Sequence, residues 1–127
     1  NELFWATSRV WRPRPVTTSV DPDPDGTIEW TLGGDAAAAR HGAGVLGRRR
    51  RWYTSDPNAV RKHSTKFPSD SSDDVEVCVA PTPVVIQTSD AHLVHPVVAA
   101  LDLSTTGRGR EILQSWTEPS IGRPVWL

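Results

Sequence analysis

Hydrophobic positions fall in short runs that proline, glycine and aspartate keep interrupting, and their spacing predicts short elements. Residues 3–12 are bulky and β-like, with Leu3, Trp5, Val10 and Trp11, and predict a strand that passes into an extended edge at Pro13 and Pro15. Residues 21–26 form an Asp-Pro turn ending in Gly26, and the following TIEWTL alternates, with Ile28, Trp30 and Leu32 on one face of a strand. Asp35 is placed to cap a two-turn helix over 36–40 that stops at Gly42. Asp56 and Pro57 form an N-cap and first-turn pair for a helix over 57–62.

Residues 64–74 are polar and predict a flexible loop that divides an N-terminal part, 1–63, from a C-terminal part, 75–127. Beyond it, Val75, Val77 and Val79 share one face of a strand and leave Cys78 on the opposite, exposed face. Residues 83–88 predict its hairpin partner. The apolar run 93–103 predicts an edge strand with Pro96 at its boundary, because proline is barred from a central strand or helix interior. Ser104 to Thr106 are read as the cap of a helix over 107–116, and Val125, Trp126 and Leu127 as an apolar tail that docks or is left sticky. The expected fold is α+β: a single small β-rich domain over 1–127, with short helices and long polar loops.

Composition narrows this picture. With 127 residues, 11 Pro and nine Gly, a long helical bundle is excluded, and no run approaches the ~18 apolar residues of a membrane span. The chain starts at Asn1, contains no Met and lacks a secretory leader, which suggests a processed or excised product and a cytoplasmic location. Its net charge of −1 provides no global attraction to nucleic acid or lipid, so such affinity would be local. The single Cys78 allows no internal disulfide.

The strongest local signal is Arg48, Arg49, Arg50 and Arg51 followed by Trp52 and Tyr53. Guanidinium groups pair with phosphates while aromatic rings stack on bases, so this segment suits nucleic acid, and it equally suits docking on an acidic protein. A solvated charge run on an arginine-rich chain is the plainer reading. Six Trp are more than a core of this size is expected to bury completely, so some are expected at an interface. His92 and His95 near Asp90 offer a metal or hydrolytic site, but no spacing commits them to one. No phosphate-binding glycine loop or nucleophile motif is present, so the reading leans away from catalysis and assigns no cofactor or metal.

Residues 60–103 resemble a family of short actinobacterial proteins that includes the bald-B sporulation regulator and small partners encoded beside helix-turn-helix regulators. Arg61, Lys62 and Ser64 match the family's opening. Val75, Glu76 and Val77 match its first strand, Val84, Val85 and Ser89 its second, and Pro96, Val97 and Val98 its third. The family's cysteine falls at Asp74 here, and its Arg-Asp-Ser is replaced by Gln87, Thr88 and Ser89. The resemblance implies a β-rich domain that binds a regulator protein and has no catalytic residues. The expected function is therefore a noncatalytic interaction module, a small regulatory accessory protein with a protein partner. Nucleic-acid binding through Arg48 to Tyr53 is the alternative, and an enzyme around His92 and His95 a third.

Overall fold

The N-terminal segment is a helix, not the strand its bulky residues predict. In the computed structural model, which describes residues 2–18, 29–66, 75–117 and 124–127, α1 spans Glu2–Val10. Phe4, Ser8 and Trp11 recur at helical spacing and are buried, and Glu2 in the first turn and Arg9 in the last complement the helix dipole.

Among the described residues, β1 (Arg14–Thr18), β2 (Thr31–Gly33), β3 (Arg50–Thr54) and β4 (Val75–Val79) form one mixed sheet in the order β1-β4-β3-β2. β1 runs antiparallel to β4, with Arg14 opposite Val79, and Pro15 is tolerated because β1 lies at the edge. β2 runs antiparallel to β3. β3 and β4 are parallel, with Tyr53 beside Cys78, and parallel neighbours need a crossover. Helix α3 (Pro57–Lys66) lies on that crossover, and Asp56 caps it as expected, its Oδ1 accepting from Ala59 N at 3.1 Å. Residues 64–66 of the expected loop therefore belong to α3, while 67–74 lie outside the described residues, as do Ile28 and the turn at 21–26.

Alternation along β4 sends Val77 and Cys78 to opposite faces, and both faces are covered. Val77 packs with Trp30 and Val60 of α3. Cys78 and Tyr53 join the larger cluster with Ala36, Ala37 and Ala38 of α2 (Gly34–Arg40) and Ala99 and Ala100 of α5 (Pro96–Ser104). Cys78 is thus buried, not exposed as alternation alone predicted.

Three further readings are corrected. Residues 84–87 form α4 (Val84–Gln87), so β4 has no hairpin partner there and pairs instead with β1 and β3. The run 93–103 is mostly α5, because Pro96 occupies the first helical position, where its missing N–H costs nothing, and His95 Nδ1 caps the helix by accepting from Val97 N at 3.1 Å. A helix buried on nearly all sides has no polar stripe, so its 3.6-residue period is invisible. Two of the three strands read in the family resemblance are therefore helical, and helix outweighs strand within the α+β fold. Caps also move: Gly33, not Asp35, is the N-cap of α2, and Arg108, not Ser104 to Thr106, that of α6 (Gly109–Ser115).

The tail docks. Trp126 is buried, stacks on Trp116 with ring centroids 4.8 Å apart, and donates its Nε1 to Leu113 O at 2.8 Å. Trp5 Nε1 in turn donates to Trp126 O. Trp11, Trp30, Trp116 and Trp126 are buried, and Trp5 and Trp52 are half-buried. No tryptophan is an exposed contact residue, because the rings anchor short elements that lack long packed faces.

Candidate functional site

Strand geometry splits the Arg48 to Tyr53 segment. Arg48 and Arg49 precede β3 and are exposed, and Arg50 is half-buried at its start. Within β3, Arg51 and Tyr53 point to the α5 side of the sheet, and Trp52 points to the other. Tyr53 is fully buried and Trp52 packs against both core clusters, so neither offers an open ring for base stacking.

Arg51 is held by two carboxylates. Its Nε donates to Glu76 Oε1 at 2.5 Å, and its Nη1 to Asp102 Oδ1 at 2.9 Å. Asp102, 1% exposed, also accepts from Tyr53 OH at 2.5 Å and Trp11 Nε1 at 2.9 Å, while its Oδ2 accepts from Gly34 N at 2.7 Å. One carboxylate thereby ties α5 to β3, to the first residue of α2 and to the end of α1. Glycine is required at Gly33 because a Cβ there would stand 2.6 Å from the Tyr53 ring, and at Gly34 because its φ is +66°. The sequence signal for this hub was a lone acid within the apolar VVAALDL, since a buried carboxylate demands partners.

Burial and charge pairing shift the titratable groups of the hub. Burial works against the charge on Arg51, but Asp102 and Glu76 more than offset it and raise its pKa. Burial, and then Asp102, raise the Tyr53 phenol far above its ordinary range. Burial, with Glu76 adding to it, pushes the Cys78 thiol up from 9.0 to about 12, so at neutral pH it is a poor nucleophile. These raised values carry a sign. Below about pH 8.5 both groups are protonated in the folded and unfolded chains, and the stabilisation is fully present. As pH rises, the unfolded chain releases protons that the folded chain keeps, so stability falls through pH 9 to 12 and beyond, by up to about 1.4 kcal/mol per pH unit for each group. Urea titrations from pH 7 to 11 are expected to show this decline, with a shallower slope above pH 9 in Cys78→Val. A flat profile would contradict the burial of both groups.

His92 and His95 do not converge on a site. His92 uses Nδ1 on Trp30 O at 2.9 Å, and His95 caps α5. Among the described residues no group of three His, Cys, Asp or Glu side chains is placed to hold a metal. His92 and Ala91 adopt left-handed conformations, which turn His92 O toward Leu32 N at 2.7 Å and cover the outer edge of β2.

The chain matches no protein-family model, no curated protein and no solved structure.

Three concavities carry arginines, the third, of about 590 Å³, lying along α1 with Arg9 and Arg110 beside Glu2, Trp5 and Ala6. The first, of about 600 Å³, holds Arg9, Arg12 and Arg51, but Asp102 and Glu76 pair with Arg51, and Arg12 Nη1 donates to Trp11 O at the C-terminal end of α1. Of its three arginines, only Arg51 is neutralised by carboxylates. The second, of about 500 Å³, lies between the 44–49 loop and α6 and is lined by Arg48, Arg49 and Arg108, the last paired with Glu111 at 3.6 Å, together with Leu46, Val45 and Ile112. Leu46 is 83% exposed. Asp35 lines the same depression with its pKa raised, chiefly by burial, with Arg49 opposing. Sequence reasoning selected Arg48 and Arg49 but missed Leu46, whose signal was a bulky residue set between Gly44 and Gly47. No described helix is long and apolar enough to cross a membrane.

Proposed function

We propose that the domain is a noncatalytic interaction module that docks a protein partner on the depression between the 44–49 loop and α6. The observation that carries this reading is Leu46, a large apolar side chain 83% exposed that lines one depression with Arg48, Arg49 and Arg108. An exposed leucine alone means little, but one that shares a concavity with Val45, Ile112 and three arginines combines the apolar and charged surface of an interface. Full burial of such a side chain contributes about 1.5–3 kcal/mol, and the arginines select for acidic groups around it. A helix-turn-helix regulator is the partner that the family resemblance implies, and it is the first protein to test.

Binding is measured by fluorescence anisotropy with a labelled peptide in which Asp and Glu flank a central Leu. Leu46→Asp is expected to weaken the peptide by tenfold or more, as is Arg48→Ser combined with Arg49→Ser. Tight, steeply salt-dependent binding of a single-stranded oligonucleotide that ignores Leu46→Asp would replace this reading with the nucleic-acid one.

A further inference from the structure

On the opposite side of α1 from its buried residues, Leu3, Ala6 and Val10 follow one another at helical spacing along the exposed face. Leu3 is 76% exposed and Val10 75%. Along one margin of this stripe lie Glu2 near the N-terminal end and Arg9 near the C-terminal end, seven residues apart and so on the same side of the helix. Among the described residues neither has an ion-pair partner.

The stripe is complementary to itself. If two copies of α1 pack antiparallel about a two-fold axis passing near Ala6, Glu2 of each copy falls beside Arg9 of the other, on the same side of the pair, twice over. Leu3 then meets Val10 of the second copy, and the two Ala6 residues meet at the crossing, where small side chains allow close approach. An isologous interface requires this: a patch whose two ends are each other's partners. A parallel arrangement would instead place Glu2 against Glu2 and Arg9 against Arg9, which like-charge repulsion disfavours. The face has little area, since one short helix falls well below the ~800 Å² per partner of a standard stable interface, so association is weak and concentration-dependent.

We infer that α1 is a homotypic contact through which two copies of this chain associate antiparallel, with reciprocal Glu2–Arg9 pairs around a Leu3–Ala6–Val10 seam. It is independent of the depression around Leu46, which lies on other elements.

Sedimentation equilibrium from micromolar to millimolar protein tests it. The wild-type chain is expected to approach dimer mass toward the upper end of that range. Glu2→Arg alone and Arg9→Glu alone each juxtapose like charges and are expected to lower the association constant at least tenfold. The double variant Glu2→Arg, Arg9→Glu restores the opposite pairing and is expected to recover wild-type association within about threefold. Both substituted positions are exposed, and unchanged circular dichroism of the three variants confirms the fold. A monomer at every concentration overturns the inference, as does a dimer indifferent to the single reversals or not rescued by the double one.

Discussion

Asp102→Ala is expected to destabilise the domain by about 3–5 kcal/mol, because it leaves the Tyr53 hydroxyl, the Trp11 indole N–H and the first N–H of α2 without their acceptor and takes one of two carboxylates from half-buried Arg51. Small domains have only about 5–15 kcal/mol in total, so the variant should sit close to unfolding. Loss of the ion pair is the smaller part of the effect, since Arg51 keeps Glu76, and the buried donors left without an acceptor are the larger. Asp102→Leu combined with Arg51→Met is expected to recover little of that stability, since the same three donors stay without an acceptor and Glu76 loses its partner. Guanidinium denaturation of the three proteins decides the matter. If Asp102→Ala stays within about 1 kcal/mol of wild type, the network is decorative and the account of how α1, α2, β3 and α5 are joined fails.

The second large effect concerns Gly109, the first residue of α6. A Cβ there would overlap the carbonyl of Leu103 at the end of α5, which already accepts from Thr106 N at 3.0 Å and Thr106 Oγ1 at 2.8 Å. The obstacle is backbone, so Gly109→Ala has to push α6 away from α5. A loss of about 3 kcal/mol or more is expected, a fall in Tm of roughly 10 °C. Gly107, two residues earlier, meets nothing within 4 Å, and Gly107→Ala is expected to stay within about 0.5 kcal/mol of wild type. Equal melting temperatures for the two variants would show that the α5–α6 junction is looser than described.

What could be read from the sequence was local. The cap at Asp56–Pro57, the strand VEVCV, the helix over 36–40 and the helix before Trp116 all announce themselves through residues close in the chain. What could not be read depended on burial. α5 is apolar almost all round, so nothing in its pattern separates helix from strand, and Pro96 reads as an end of one element when it is the beginning of another. α1 carries β-favouring aromatics whose helical spacing is meaningful only once Phe4 and Trp11 are known to face the same neighbours. The arginine run shows the same limit. Four identical residues have no internal pattern, yet strand parity buries one against Asp102 and leaves Arg48 and Arg49 outside. The half of the candidate site that was legible was its charge. Leu46 and Arg108 come together only when the loop after α2 meets α6.

The hydrogen bond from Trp5 to Trp126, 121 residues apart in sequence, sets a timetable for the nascent chain. At roughly 5–20 residues per second, about 6–24 s separate the synthesis of Trp5 from that of Trp126. β1 waits too, since its partner β4 lies beyond both α2 and α3. Throughout that interval Phe4, Trp5 and Trp11 leave the ribosome before the residues that will cover them exist. Trp5 therefore reaches its final packing only after Trp126 has been made, so the closing of this contact is a late event in the folding of the chain.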